Sequence, residues 1–214
     1  MSLIKDKLNQ INPFNAAFFT CPTTTFYTAA RVGEFTLQRL DAFNPAEHIT
    51  HGGIRDDTDH NGLHTKVFAL LCAKSNHSGK KVQWARQEGP TDPLEAFNKH
   101  IEINNPPADG PLFAYRTMKG YQPITWQTFI VHLNKYAQAA GLECIHGHSI
   151  CIGATLEYLL QGVPFNVMKV KGCWASNAFQ LYLRKHNQIL APYIQSMPPE
   201  MALEFTRLAM LPVR

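Results

Sequence analysis

Tyr182 lies in the segment KGCWASNAFQLYLRKH, residues 171–186, where aromatic and basic side chains surround it. A phenol can attack a phosphodiester when nearby groups stabilise the negative charge that develops on the phosphate oxygens. The same segment also has a structural interpretation, because Phe179, Tyr182 and His186 are spaced as one face of a helix. An aromatic residue on an apolar helical face usually belongs to the core, so periodicity alone favours a packing role.

Attack by a phenol on a DNA phosphodiester has three chemical requirements. It needs positive charge at the non-bridging oxygens, a proton donor for the leaving 5′ oxygen, and a tyrosine presented in line. Arginine suits the first role because its planar guanidinium binds two oxygens at once. Several residues with phosphoryl-transfer chemistry occur in one order along the chain.

Turn residues and apolar alternation predict one small β element between helical regions. Residues 63–72 and 81–86 have the composition of strands, and the turn sequence NHSG lies between them. This arrangement predicts a β-hairpin with Lys74 near its tip. The fold class expected from the whole chain is therefore mostly α with a small antiparallel β-sheet, an α+β fold.

Helix signals account for most of the remaining sequence. Pro22 is predicted to begin a new helix rather than to lie inside one, and a further helix is expected after Gly33. Four further helices are predicted. The first begins at Asp92 and Pro93, the second runs from Thr125 to Gly141, the third carries the apolar stripe Ile152, Leu156 and Leu160, and the fourth runs from Pro164 to Gly172.

Taken in order, these segments resemble the motifs of the tyrosine recombinases, which are phage-integrase-like DNA breaking-rejoining enzymes, in their fungal-genome form. TFYTAARVGEFTL is similar to the first arginine motif, and LLCAKSNHSGKKVQWARQEGPTDP is similar to the lysine-bearing β-turn. GHSICIGATLEYLLQGVPFNVMKVKGCWASNAFQLYLRKH resembles the H-x-x-R helix, the G-R-W turn and the tyrosine helix. The resemblance implies a tyrosine-recombinase catalytic core at residues 1–195 and a helical tail at 196–214. Members of the family usually carry an N-terminal DNA-clamping domain before the arginine motif, and we expect that domain to be absent here because Arg31 comes almost at once.

The resemblance also implies a role for each matched residue. Tyr182 would form a 3′-phosphotyrosine, and Arg31 would clamp the scissile phosphate. Lys74 would protonate the leaving 5′ oxygen, while His148 would act as an acid/base or as a hydrogen-bond donor. Trp174, or its neighbour Cys173, would fill the position that the family gives to His or Trp. No cofactor is implied, neither a metal nor ATP, because the phosphotyrosine conserves the bond energy for rejoining.

The implied partner is duplex DNA, bound by a homo-oligomer in a tetrameric synapse. The net charge of +4 and the pI of about 8.8 permit binding to a polyanion without requiring it. The sequence has no secretory signal and no run of about 18 apolar residues, so we expect an intracellular protein, nuclear in a eukaryote, that does not enter a membrane. The residues implied to contact DNA are Arg31, Lys74, Lys171 and Arg184.

Two positions depart from the pattern of the family. The H-x-x-R motif reads HSIC, so Cys151 replaces the second arginine, and the G-R-W turn reads GCW, with Cys173 in place of arginine. A neutral thiol is a weak donor, and losing one transition-state contact costs about 100- to 1,000-fold in rate. We therefore expect impaired DNA recombination and integration in a decaying mobile-element copy. The alternative is a non-catalytic DNA-binding relic.

Two other chemistries use the segment CIHGHSIC. Its two cysteines and two histidines could bind zinc, but their spacing differs from the two separated ligand pairs of structural zinc sites. Cys151 and His148 could form a hydrolase pair, although the sequence shows no third group to orient them. Since the five cysteines include no CxxC pair, we expect reduced thiols. The four candidate zinc ligands are Cys144, His146, His148 and Cys151.

Overall fold

The computed structural model of this chain describes residues 1–71 and 79–173. The chain divides into two compact units, Met1–Cys151 and Ile152–Arg214. No helix in the described ranges is long and apolar enough to cross a membrane. Four residues predicted to act on DNA lie outside the described ranges: Lys74, Trp174, Tyr182 and Arg184.

The first unit is organised around one buried helix. After a short helix α1, Ser2–Lys5, the helix α2 runs over Pro13–Thr28. The Asn12 side chain caps α2 by accepting a hydrogen bond from the backbone N–H of Asn15, and proline occupies the first helical position. Twelve of the 16 residues of α2 are buried. A helix that is buried on all sides lies in the interior of its domain.

The prediction that Pro22 begins a new helix is wrong, because Pro22 lies inside α2. A proline in a helix removes one backbone hydrogen bond and costs about 3 kcal/mol or more. Burial of α2 on all sides offsets this cost. Threonine hydroxyls add local and interhelical hydrogen bonds: Thr25 Oγ1 donates to the carbonyl of Cys21 at 2.8 Å, and Thr20 Oγ1 lies 2.7 Å from the carbonyl of Ala96.

The helix predicted after Gly33 is also wrong. Residues Val32–Glu34 form a single turn of 3-10 helix. The chain then becomes extended, and Leu37 forms an isolated parallel bridge with Thr125. This bridge joins residues far apart in the sequence. The apolar residues after Gly33, which suggested a helix, are therefore apolar because this segment is buried against distant parts of the chain.

A three-stranded antiparallel sheet has the order β1 (Ile54–Thr58), β2 (His64–Leu70), β3 (Lys80–Ala85). The strands β2 and β3 confirm the predicted pairing of the hairpin. Their core-facing residues include the paired Phe68 and Val82, which are buried. The strand β1 was not predicted, because its sequence IRDDT is polar and mostly exposed.

Four predicted helices are confirmed: those that begin at Asp92, run from Thr125 to Gly141, carry the stripe of Ile152, and run from Pro164 to Gly172. The predicted tyrosine helix and the helical tail lie outside the described residues. The side chains of Asp92 and Thr125 cap their helices as expected, and Gly141, with φ +72°, follows the end of the second. A second hairpin, β4 and β5, was not predicted. The remaining elements are α3 (Pro93–Asn104), β4 (Ala114–Thr117), β5 (Gly120–Pro123), α4 (Trp126–Ala139), α5 (Gly147–Leu160) and α6 (Phe165–Lys171).

A buried polar network joins α2, α3 and β4 around His100. The Nε2–H of His100 donates to the carbonyl of Leu112 at 3.0 Å, and Nδ1 accepts from the side-chain amide of Asn104 at 3.0 Å. The same amide donates to the carbonyl of Pro13 at 2.9 Å, while Asn104 Oδ1 accepts from the backbone N–H of Arg116 at 2.9 Å. This pattern requires a neutral imidazole, because both ring nitrogens would be donors in the cation.

Acid should destabilise the fold through His100. Burial lowers the pKa of His100 to about 4, whereas an unfolded histidine titrates near about 6.5. Between these values the unfolded chain binds the proton and the folded chain does not. Stability from this group is therefore complete above about pH 6.5 and falls by about 3 kcal/mol as the pH drops to 4. Urea unfolding at several pH values measures the change.

Two variants isolate the contribution of His100 from that of the carboxyl groups. His100→Gln should be less stable at pH 7 and should lose less stability on acidification than the parent chain. The exposed His60 provides a matched control as His60→Gln, which should keep the parental pH dependence. Equal pH slopes for the parent chain and His100→Gln would contradict the assignment.

Candidate active site

A cleft of about 410 Å³ lies in the first unit. The segment after α2, the first turns of α4 and the start of α5 form its walls. It brings together three of the predicted site residues, the arginine, the histidine and the cysteine of the matched motifs. The described lining residues are Arg31, Val32, Gly33, Trp126, Ile130, His146, Gly147, His148 and Cys151.

The end of α2 directs Arg31 to the cleft. Ala29 ends the helix in the left-handed region, with φ 53°. This conformation costs a non-glycine residue about 1 kcal/mol or more. Backbone hydrogen bonds hold the turn, with the N–H of Ala29 donating to Phe26 at 2.9 Å and the N–H of Ala30 to Thr25 at 3.1 Å. The chain therefore leaves α2 abruptly and continues through Arg31.

The Glu34 carboxylate fixes the turn that carries Arg31. Its Oε2 accepts the backbone N–H of Arg31 at 3.0 Å. Its Oε1 lies 2.8 Å from Nζ of Lys80 on β3 and accepts no further hydrogen bond from the described residues. The two side chains are only 7% and 10% exposed. Because Lys80 balances the charge of Glu34, the guanidinium of Arg31 remains as net positive charge beside the cleft.

Cys151 is buried and makes a hydrogen bond to the segment of Arg31. Its Sγ donates to the carbonyl of Ala30 at 2.7 Å, and the residue is 3% exposed. Burial, with the nearby Glu34 carboxylate adding to it, raises the pKa of the Cys151 thiol to about 11. The thiol is therefore neutral at physiological pH and supplies no positive charge to the cleft. A neutral thiol is also a poor nucleophile, which disfavours the hydrolase alternative.

The cleft residues that were not predicted as part of this site include His146 and Trp126. His146 was considered only as a zinc ligand, and Trp126 was considered only as part of a helix. Both are exposed, and Trp126 occupies the first position of α4. A sequence signal for Trp126 was the predicted helix cap at Thr125, which places the next side chain at the start of a helix. The sequence could not show that α4 borders the cleft, because that depends on tertiary packing.

The arrangement does not support the zinc alternative. In the part of the chain that the structure describes, no group of three His, Cys, Asp or Glu residues is placed to hold a metal ion. Cys151 is buried against Ala30, whereas Cys144 is exposed. The four described cysteines, Cys21, Cys144, Cys151 and Cys173, form no disulfide with one another.

The described part of the second unit contains two of the predicted positions, Lys171 and Cys173. Nζ of Lys171 lies 4.7 Å from the centroid of the Tyr158 ring, and burial lowers the pKa of Lys171 to about 8. Cys173 follows the end of α6 in the left-handed region, with φ 51°. A DNA contact by Lys171 stays a prediction.

Comparison with solved structures identifies the fold. The chain is similar to Flpe in a Holliday junction complex, with a TM-score of 0.55 and 12% identity over 95% of this chain and 48% of that chain. It is also similar to a point mutant of Flpe in a DNA Holliday junction complex, with a TM-score of 0.55 and 11% identity over 93% and 48% of the two chains. The chain therefore spans about half the length of these proteins.

No family model and no curated protein matches the sequence. The structural similarity nevertheless confirms the predicted fold class, which is mostly α with a small antiparallel sheet and has the tyrosine-recombinase fold. At 12% identity the similarity establishes the fold and leaves the activity to be argued from the site.

Breaking the pair between Glu34 and Lys80 should destabilise the first unit. Either Glu34→Gln or Lys80→Met leaves one buried charge without its partner, at a cost of about 3 kcal/mol. The double variant removes both charges and should lose much less than the sum of the two single changes. Chemical denaturation of the four proteins gives this coupling energy.

A matched exposed pair provides the control. The side chains of Lys99 and Glu102 are 38% and 68% exposed at a separation of 3.0 Å. Lys99→Met should therefore cost less than about 1 kcal/mol. Additive losses from Glu34→Gln and Lys80→Met would show that the two groups are not coupled.

The burial of Cys151 predicts slow alkylation. Iodoacetamide reacts with the thiolate, and a buried thiol with a pKa of about 11 provides little thiolate at pH 8. The exposed Cys144 serves as an internal control and should be modified first. Peptide mapping by mass spectrometry after timed exposure measures both sites. Modification of Cys151 as fast as Cys144 in the folded protein would contradict the assignment.

Proposed function

We propose that this chain binds duplex DNA and cleaves and rejoins strands, at a reduced rate, through a 3′-phosphotyrosine at Tyr182. The observation that carries this proposal is the cleft in which Arg31 and His148 lie beside Cys151, in a chain with the tyrosine-recombinase fold. Flpe, which has a similar fold, is found in complex with a DNA Holliday junction. The motif resemblance supplies the roles of Tyr182 and Lys74.

The proposed reaction exchanges one phosphoester for another. The phenol oxygen of Tyr182 attacks the phosphorus, and the bond from phosphorus to the 5′ oxygen breaks. Lys74 gives a proton to the leaving oxygen, while Arg31 stabilises the charge on the non-bridging oxygens. His148 donates a hydrogen bond or exchanges a proton, and Trp174 fills the position that the family gives to His or Trp. Rejoining is the reverse attack by a 5′ hydroxyl, so no metal or ATP takes part.

The reduced rate follows from the chemistry of Cys151. Its thiol is neutral and donates to the carbonyl of Ala30, so the charged contact of the second arginine is missing. Loss of one preorganised contact costs about 100- to 1,000-fold in rate. Cys173 removes a second guanidinium from the matched motifs.

A second candidate is a non-catalytic DNA-binding protein that keeps the fold. The buried, neutral thiol of Cys151 favours this candidate, because the chain uses the position for an internal hydrogen bond. DNA would then be held by the basic residues of the matched motifs without cleavage. Those residues are Arg31, Lys74, Lys171 and Arg184.

The proposal also covers the biological role, the location, the assembly and the domain bounds of the chain. The motif resemblance supports DNA integration by a mobile element of the fungal-genome type, in the nucleus, with several copies of the chain assembled on DNA as a tetrameric synapse. It also supports a catalytic domain at 1–195 with a helical tail at 196–214. These proposals depend on the motifs and not on the geometry of the cleft.

A nicked suicide duplex distinguishes the two candidates. The parent chain should form a small amount of covalent protein–DNA complex, visible as a band that resists denaturation. Tyr182→Phe should abolish the band, and Arg31→Ala should reduce it by at least about 100-fold. Tyr121→Phe, at an exposed tyrosine outside the cleft, is the matched control and should leave the band unchanged.

Variants that place arginine at positions 151 and 173 distinguish impaired cleavage from the absence of cleavage. Cys151→Arg with Cys173→Arg, checked for folding by thermal denaturation, should increase the band if the two cysteines limit cleavage. A band that appears only in this double variant would support the non-catalytic candidate. DNA binding without a band in any variant would exclude catalysis, and loss of both would exclude both candidates.

A further inference from the structure

We propose that the cleft binds a nucleotide whose base is unstacked, with the base lying against Trp126 and its phosphate held at Arg31. This inference rests on the proposed function and adds to it the form of DNA that the site takes. A base in an intact duplex has both faces covered by its neighbours. Within the proposed duplex, the site would therefore take an end, a nick or a gap, where a base can leave the stack. A single strand presents the same free base and serves as the probe.

The cleft has two chemically different walls. One wall comes from α4, where Trp126 and Ile130 are one helical turn apart and so lie on the same face, with Val32 adding a third apolar side chain. The other wall carries Arg31, His146 and His148. A nucleotide combines a flat apolar ring with an anionic phosphate, which matches this division. No acidic residue occurs among the described residues that line the cleft.

The exposure of Trp126 is the second observation. Its residue is 40% exposed, whereas Trp84, the other described tryptophan, is 2% exposed in the core. The backbone N–H of Trp126 donates to the carbonyl of Leu37 at 2.8 Å, which fixes the start of α4. The indole is thus held by a rigid element while much of its surface stays open. Aromatic side chains held this way are the stacking platforms of proteins that bind single strands.

The space in the cleft fits more than a phosphate. Its volume of about 410 Å³ falls in the range of small-molecule sites. Gly147 keeps this space open, because a Cβ at that position would lie 3.3 Å from Ile130 Cδ1 and 3.8 Å from Trp126 Nε1. The missing side chain at Gly147 therefore leaves the region between the apolar wall and the histidines accessible.

The test compares two labelled oligonucleotides of equal length and charge. One is a short oligothymidylate, and the other has the same backbone with an abasic analogue at every position. Fluorescence anisotropy at fixed salt gives both dissociation constants. The parent chain should bind the base-bearing strand about ten-fold more tightly, as expected for stacking of one base. Equal affinity for the two strands would overturn the proposal.

Variants of α4 assign the preference to the indole. Trp126→Ala should remove the preference while binding of the abasic strand stays unchanged, and Trp126→Phe should restore most of it. Val131→Ala, at a 51% exposed position of the same helix outside the described lining, should keep the parental preference. Persistence of the preference in Trp126→Ala would overturn the proposal.

A further variant and a separate assay complete the test. Gly147→Ala narrows the cleft beside Ile130 and should reduce the preference, even if Trp126→Ala proves unstable. Tyr182→Phe removes the proposed nucleophile and should keep the preference. A preference for the base-bearing strand without any covalent complex would support this inference and count against catalysis. A covalent complex without that preference would support catalysis and overturn this inference.

Discussion

The geometry of the site depends on one buried carboxylate. Glu34 accepts the backbone N–H of Arg31 and forms an ion pair with Lys80, so a single side chain joins the turn after α2 to the strand β3. A buried ion pair adds little net stability, but removing either partner is costly. The pair therefore fixes the position of the turn, because other positions of the turn relative to β3 would leave a charge unpaired. Arg31, whose backbone belongs to this turn, therefore has a fixed position beside the cleft.

The charges around this carboxylate explain why the identity of residue 151 matters. Glu34 and Lys80 offset each other, so the positive charge at the described cleft wall depends on Arg31. An arginine at position 151 would add a second cation next to the first. Cys151 instead donates its thiol proton to the carbonyl of Ala30, and burial keeps that thiol neutral. The cysteine thus holds the backbone of the arginine segment, and it supplies no positive charge to the cleft.

Local signals predicted more of the fold than of the site. The helices α3 and α4 have side-chain caps and amphipathic patterns, so their sequences specify them. Pro22 misled the prediction because burial on all sides overrides a local helix breaker. Motif resemblance selected Arg31, His148 and Cys151. The pairing of Glu34 with Lys80 and the approach of Trp126 to the cleft join distant parts of the chain, so periodicity could not reveal them.

In the proposed complex with DNA, a cleft with one cation fewer than the matched motifs and with an aromatic wall would bind through a changed balance of forces. Each phosphate contact contributes a salt-dependent term to affinity, because binding releases counterions, and each lost contact makes affinity less sensitive to salt. Stacking on an indole contributes a term that depends on the base and little on salt. With Cys151 neutral, the stacking term would carry a larger share of binding in the proposed complex. The proposed site would then discriminate by whether a base is free to unstack, so recognition would depend less on total charge than on local melting.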